Sequence, residues 1–206
     1  SFPGQELDPA FSPDGKQIAF AWDGEKGDNF DIYVKLVEGG TPLRLTTHAA
    51  PERWPAWSPD GSRIAFVRES AGGHEIFMVS ALGGPERKLG QVAPARAWTK
   101  GSAWSPDGKS LAIVDKSSPL EPNSIFLLSI ETGEKRRITS PPAQYMGDEG
   151  PSFSPDGRTL AFIRNRASVS DIYLLAVAGG ADPRRLTFAE RLIWGLDWTQ
   201  DGGRIV

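Results

Sequence analysis

The sequence contains no cysteine and only two histidines among its 206 residues. The missing thiols exclude disulfides and thiolate metal sites, and they leave the redox compartment undecided. No apolar run reaches the roughly 18 residues that a membrane helix needs, so we expect no membrane insertion. The formal net charge is −3, without the clustered Lys and Arg of a nucleic-acid-binding surface, so we expect no nucleic-acid contact.

Residue patterns that carry chemistry are also scarce. The G-x-S-x-G motif of serine hydrolases does not occur, and His48 and His74 lie far apart in the sequence without a repeated acid beside them. The best cation candidate is DGEKGDNFD (23–31), whose oxygen ligands would suit calcium but whose spacing does not match an EF-hand loop. We therefore predict a chain that is not an enzyme, with no catalytic residues, no bound metal and no cofactor.

What the sequence does contain is one repeated string. FSPDGKQIAF begins at Phe11, WSPDGSRIAF at Trp57, WSPDGKSLAI at Trp104 and FSPDGRTLAF at Phe153, and a weaker copy, WTQDGGRIV, begins at Trp198. The serines of the four full copies are 46, 47 and 49 residues apart. A period in this range is typical of propeller blades, each a four-stranded antiparallel sheet.

Each repeat predicts four strands. In the first repeat they cover residues 9–12, 17–22, 30–37 and 42–46, and the glycines of EGGT (38–41) form the turn before the fourth strand. The predicted blades cover approximately residues 8–46, 54–89, 101–139 and 150–187, with a half blade at 194–206. We therefore expect an all-β fold, a β-propeller of four complete four-stranded antiparallel blades plus the first hairpin of a fifth.

The SPDG string has the residues that a type I turn prefers. Serine bonds the backbone two residues on, proline presets φ, and glycine tolerates positive φ where the second strand begins. We therefore assign Asp14, Asp60, Asp107 and Asp156 to hairpin structure. The aromatic residue before each turn alternates with a small residue, so we expect all five aromatic residues to be buried between neighbouring blades.

The pattern [FW]-S-P-D-G-x-x-[IL]-A-[FI], with [IF]-[YF] on the third strand and R-[LI]-T at the fourth, resembles the WD40-like repeat of TolB-type propellers. This resemblance covers the whole chain and implies a ring of about six to eight blades. Such rings occur in periplasmic assembly proteins, beside peptidase domains and in bacterial sensors, which favours the periplasm over the cytoplasm without deciding it. We expect this chain to be a piece of a larger ring, and open blade faces favour a homo-oligomer.

Candidate binding residues lie in the variable loops. In an antiparallel blade the SPDG and glycine turns lie on one side, and the blade-joining loops lie on the other, with the loops between strands two and three. Aromatic and charged residues that are frequent at binding hot spots occur near the blade-joining loops: Arg53, Trp54, Arg96, Trp98, Tyr145, Glu149, Arg191 and Trp194. One interpretation is a shared mouth lined by Trp54, Trp98, Tyr145 and Trp194. The alternative is that these aromatic residues cap the apolar ends of the blades.

The sequence favours a non-catalytic scaffold that presents its variable loops to a protein, peptide or small ligand. An alternative is an accessory propeller that gates substrate access to a prolyl-peptidase-like hydrolase domain. A G-x-S-x-G motif after Val206 in a longer chain would support that alternative. A glycan-active propeller enzyme is a third hypothesis, and the low histidine count argues against it.

Overall fold

A computed structural model of the chain describes residues 3–93, 102–188 and 191–206, and these residues form sixteen β-strands. The strands make four antiparallel sheets, each of four consecutive strands paired in chain order. The predicted all-β fold with four four-stranded units is confirmed. The described residues include no helix with the length and apolarity to cross a membrane.

The four sheets follow one another along the chain. Sheet 1 contains β1 (Glu6–Phe11), β2 (Gln17–Trp22), β3 (Asp31–Leu36) and β4 (Gly39–Arg44). Sheet 2 contains β5 (Glu52–Trp57), β6 (Arg63–Ser70), β7 (Gly73–Ser80) and β8 (Arg87–Val92). Sheet 3 contains β9 (Ser102–Trp104), β10 (Ser110–Asp115), β11 (Ser124–Ser129) and β12 (Lys135–Arg137). Sheet 4 contains β13 (Gly147–Phe153), β14 (Thr159–Arg166), β15 (Val169–Ala176) and β16 (Arg184–Arg185).

The chain divides into two compact units, unit 1 (Ser1–Val92) and unit 2 (Ala93–Val206). In unit 1 the small face of sheet 1, with Ala19 and Ala21, packs against Ile64 and Phe66 of sheet 2. In unit 2, Ala112 of sheet 3 packs in the same way against Phe162 of sheet 4. Large side chains therefore lie against small ones between neighbouring sheets, which follows from the two-residue alternation of side chains along each strand.

Two sequence expectations need correction. Phe11 is 65% exposed and Trp198 is only half-buried, whereas Trp57, Trp104 and Phe153 are buried as expected. Phe11 belongs to the first sheet, so no earlier repeat of this chain covers its ring. The fourth strand of sheet 1 also begins earlier than predicted, at Gly39, because Gly39 pairs with Leu36 across a tight turn.

The weak fifth copy forms a hairpin that packs on sheet 4. Asp197 and Val206 exchange backbone hydrogen bonds of 3.0 and 2.9 Å, and Trp198 bridges Ile205. Leu196 is buried in a cluster with Ala161 and Ile163 of sheet 4. The apolar residues of the hairpin thus cover the Ala161 face of β14 with a two-stranded element.

Candidate functional site

The aspartates of the SPDG turns serve the turns themselves. Asp60 Oδ1 accepts hydrogen bonds from the Ser58 hydroxyl (2.5 Å) and from the Ser62 N–H (3.0 Å). These bonds favour the carboxylate and lower the pKa of Asp60 to about 2. Asp14, Asp107 and Asp156 accept the same two kinds of hydrogen bond. The predicted structural role of these four aspartates is confirmed.

The R-[LI]-T motif closes the third and fourth strands of a sheet. Arg44 donates from Nε to the Thr46 carbonyl (3.0 Å), and Thr46 Oγ1 accepts from the Ile32 N–H (2.9 Å). Arg44 also forms an ion pair with the buried Asp31 at 2.5 Å. In sheet 4, Arg185 pairs with Asp171 at 2.7 Å in the corresponding place. The motif is therefore a structural corner.

Buried ion pairs join the first two strands of sheets 2 and 4. Arg68 donates to Glu52 in sheet 2, and Arg164 donates to Asp148 in sheet 4 through two bonds of 2.6 and 2.9 Å. Burial raises the pKa of Glu52 and of Asp148, and the arginine beside each carboxylate opposes that shift. Because both members of each pair are removed from solvent, we assign these pairs to structure and not to ligand contact.

The first strand of sheets 1, 2 and 4 contains a β-bulge at the same place. The residue three positions before the SPDG aromatic has positive φ in all three sheets: Asp8 (54°), Trp54 (55°) and Gly150 (56°). Glycine adopts this left-handed conformation freely, whereas a bulky residue there is strained. Trp54 therefore occupies a position where local backbone preference favours glycine.

Trp54 and its neighbour Arg53 contact residues from both sheets of unit 1. Asp8 Oδ2 accepts from Arg53 Nε (2.6 Å) and from the Trp54 N–H (3.2 Å). The Arg53 guanidinium lies over the Phe30 ring at 5.0 Å and over the Trp54 ring at 5.7 Å. The Trp54 ring contacts the His74 imidazole, with ring centroids 5.8 Å apart. We call Asp8, Phe30, Arg53, Trp54 and His74 the Trp54 cluster.

The Trp54 cluster is half-buried and carries mixed charge. Arg53 and Asp8 keep about a fifth of their side-chain surface exposed, and Trp54, Phe30 and His74 are of intermediate exposure. Burial lowers the pKa of His74, and the Glu69 carboxylate opposes that shift. The cluster therefore offers an aromatic surface beside an ion pair, an arrangement suited to recognition.

Sequence reasoning identified Arg53 and Trp54 but missed the other three members. It also placed Arg53 and Trp54 in a loop, whereas both lie in β5, the first strand of sheet 2, which continues through the bulge. Asp8 carries a recognisable signal, since Asp8-Pro9 and Trp54-Pro55 occupy the same place in the repeat. Phe30 and His74 carry no comparable signal.

The candidate residues of unit 2 lie on separate elements. Tyr145 lies in a turn closed by its N–H to the Pro142 carbonyl (2.9 Å), and Glu149 is buried within β13. The Arg191 carbonyl accepts from the Ser170 N–H (3.0 Å), and Trp194 is 80% exposed. Tyr145 and Glu149 therefore lie just before and within the first strand of sheet 4, whereas Arg191 and Trp194 lie in the segment that leads to the terminal hairpin.

Arg96 and Trp98 lie outside the described residues. The shared mouth of Trp54, Trp98, Tyr145 and Trp194 stays a prediction, because its four residues are divided between the two units and one of them is not described. Across residues 3–93, 102–188 and 191–206, no three His, Asp or Glu side chains are grouped so that they could hold a metal ion.

Comparison with known families matches the chain to the TolB beta propeller domain over residues 1–94 and 86–206. The curated proteins give no match. Among solved structures, TolB from Acinetobacter baumannii aligns with a TM-score of 0.77 at 20% identity. That alignment covers 98% of this chain and 48% of TolB, so the chain spans about half the length of that structure.

Two further solved structures share the fold. A nidogen/laminin complex aligns with a TM-score of 0.70 at 13% identity, covering 95% of this chain and 69% of the other. A structure from a study of two prolyl endopeptidases aligns with a TM-score of 0.65 at 15% identity, covering 97% and 32%. Similarity at these identities supports a β-propeller fold and nothing about activity.

Proposed function

The chain belongs to the TolB beta propeller domain family, and we propose that it is a non-catalytic module that binds a protein or peptide through the Trp54 cluster. The observation that carries the proposal is the positive φ of Trp54. A left-handed backbone conformation costs a non-glycine residue roughly 1–2 kcal/mol, and Gly150 occupies the corresponding place in β13. A tryptophan at such a place needs a compensating role.

The surroundings of Trp54 support binding by contact. Tryptophan and arginine are enriched at binding hot spots, where a pre-positioned aromatic ring loses little conformational freedom on association. Asp8 holds both the Arg53 guanidinium and the Trp54 backbone, so the two side chains are pre-positioned. A chain with a similar fold occurs in the nidogen/laminin complex, and this supports a protein as the partner of the present chain.

The test compares Trp54→Gly with the unchanged chain. Peptides that bind the unchanged chain are first selected from a random display library. Their affinity for the unchanged chain and for Trp54→Gly is then measured by calorimetry. We expect Trp54→Gly to change the free energy of unfolding by no more than about 1 kcal/mol, because relief of backbone strain offsets the lost ring contacts. We expect the dissociation constant of the selected peptides to rise at least tenfold, about 1.4 kcal/mol.

Phe11→Ser is the matched control, because it removes an exposed aromatic ring on the SPDG side of unit 1 and should leave peptide affinity unchanged. If Trp54→Gly retains peptide affinity and loses several kcal/mol of stability, Trp54 caps the apolar end of the sheet and the proposal is wrong.

A role as the accessory propeller of a hydrolase is the second candidate, and the prolyl endopeptidase likeness favours it at the level of fold. The two candidates differ in the residues expected beyond Val206 in a longer chain. A G-x-S-x-G motif in an α/β region after that position would support the hydrolase role.

A further inference from the structure

The SPDG turns of neighbouring sheets contact one another in a repeated way. A side-chain carbon added at Gly61 would meet Pro13 Cδ of the preceding turn at 3.7 Å. The same addition at Gly157 would meet Pro106 Cδ at 3.4 Å, and at Gly202 it would meet Pro155 Cδ at 3.4 Å. The contact between the turns is therefore the same at these three junctions. Differences between the junctions must come from other residues.

The aromatic residue before SPDG differs between junctions. Trp57 donates its indole N–H to the Ala10 carbonyl (3.0 Å), and Trp198 donates to the Ser152 carbonyl (3.1 Å). Between sheets 3 and 4 the residue is Phe153, whose ring is smaller and has no N–H. The carbonyl of Ala103, which occupies the corresponding place, therefore receives no indole hydrogen bond from Phe153.

A cavity of about 210 Å³ lies at this junction. Its walls come from the SPDG turns of sheets 3 and 4 and from the apolar faces behind them: Ser105, Pro106, Asp107, Ser110, Leu127, Phe153, Asp156, Gly157 and Val177. A water molecule in the liquid takes up roughly 30 Å³, so the space exceeds that of a few solvent molecules. The cavity can therefore admit a short alkyl chain.

Two carboxylates lie beside the apolar wall of the cavity. Asp107 and Asp156 each use Oδ1 to accept from a serine hydroxyl and a backbone N–H. These hydrogen bonds lower the pKa of both carboxyls, so both are ionised at neutral pH. The nearby Lys109 and Arg158 side chains contribute to the same lowering. Lys109 and Arg158 do not line the cavity, so its wall carries the charge of the two carboxylates. Two negative charges beside a small apolar space attract a cation with an apolar stem.

We propose that the cavity between sheets 3 and 4 binds an alkylammonium group, either a small primary amine or the lysine side chain of a partner. The methylene groups lie against Leu127, Phe153 and Val177, and the ammonium group lies between the two carboxylates. This site lies on the SPDG side of unit 2 and is independent of the Trp54 cluster. Its failure would leave the proposed peptide-binding function untouched.

The probe is n-butylammonium chloride, titrated into the whole chain and followed by backbone amide chemical shifts. We expect saturable shifts at the amides of Asp107, Phe153 and Asp156. Sodium chloride at the same ionic strength and n-butanol serve as controls for screening and for apolar contact alone. Equal shifts with sodium chloride or n-butanol would show that the site does not select an alkylammonium group.

Variants separate a binding site from a packing defect. Phe153→Trp introduces the indole that Trp57 has at the corresponding place, and we expect it to raise stability by the added hydrogen bond and to weaken butylammonium binding at least tenfold by occupying the cavity. Asp107→Asn and Asp156→Asn keep the Oδ1 acceptor and remove the charge, and each should weaken binding several-fold. Asp60→Asn, in the SPDG turn of sheet 2 and outside the cavity lining, is the matched control and should leave binding unchanged.

Two outcomes overturn the proposal: an absence of saturable shifts, or equal binding by Phe153→Trp and Asp60→Asn. Nα-acetyl-lysine methylamide distinguishes the two ligand sources. Binding comparable to butylammonium supports a partner's lysine, and exclusion of this larger probe supports a free amine. Either result retains the alkylammonium chemistry.

Discussion

At the residue scale, one arrangement of hydrogen bonds recurs along this chain. A serine hydroxyl and a backbone N–H two residues on both donate to the aspartate of each SPDG turn, as at Asp60. Because those donors are fixed by the turn, the carboxylate is stabilised in the folded state and its pKa falls. The weak fifth copy preserves the arrangement with Thr199 in place of serine, since its hydroxyl donates to Asp201 at 2.5 Å.

The residue-scale prediction concerns the pH dependence of stability. The pKa of Asp60 falls from 3.8 in an ordinary environment to about 2, so its stabilising contribution is complete above pH 3.8 and is lost as the pH falls towards 2. Asp60→Asn should therefore show a smaller decrease in melting temperature than the unchanged chain between pH 4 and pH 2. Thermal melts followed by circular dichroism test this, and parallel curves for the two proteins would contradict it.

At the element scale, the first strand of a sheet determines which side chain is presented at the bulge. Its bulge turns one residue into the left-handed region, and the identity of that residue varies between glycine in β13 and tryptophan in β5. In sheets 2 and 4, the part of the first strand before the bulge carries a buried carboxylate that pairs with arginine on the second strand. The framework thus remains the same while a single position of the strand is available for recognition.

The element-scale prediction concerns the Asp148–Arg164 pair. Arg164 lies over the Tyr173 ring at 4.7 Å and forms two hydrogen bonds to Asp148. Arg164→Met should destabilise unit 2 by about 3–5 kcal/mol, because it leaves a buried carboxylate without its partner. Adding Asp148→Leu should restore much of that loss. Urea unfolding of both variants measures the difference, and equal stabilities would show that the charge of Asp148 is not the cause.

At the scale of the whole molecule, charge and apolar surface are unevenly distributed. Residues 1–92 contain 13 acidic and nine basic side chains, whereas residues 93–206 contain 13 acidic and 14 basic ones. Exposed large apolar residues include Phe11 and Leu43 in unit 1 and Phe188 and Trp194 in unit 2. An acidic unit and a weakly basic one, each with exposed apolar groups, favour association between copies.

We therefore predict self-association of this chain. Light scattering after size exclusion should give a mass above 22.3 kDa that rises with protein concentration. Phe11→Ser should reduce the association without loss of stability, because Phe11 is exposed in the single chain. A strict monomer at high concentration would contradict the prediction, and an unchanged mass for Phe11→Ser would place the contact elsewhere.

The sequence by itself determined the repeat, the number of strands in each repeat and the role of the SPDG aspartates. Each depends on residues close together in the chain, whose preferences repeat five times and reinforce one another. It also identified Arg53 and Trp54 as candidate binding residues, because their side chains are of the types that binding hot spots favour. The exposure of Phe11 was predicted wrongly, because burial depends on the neighbouring sheet and not on the local pattern.

Only the tertiary structure decided which residues meet. Asp8 contacts Arg53 across 45 positions of sequence, and the aromatic groups of Phe30 and His74 join them from other parts of unit 1. The cavity at Phe153 likewise depends on how one ring fills the space against the preceding sheet. Such contacts arise from the packing of one repeat on the next, and the preferences within a single repeat do not specify them.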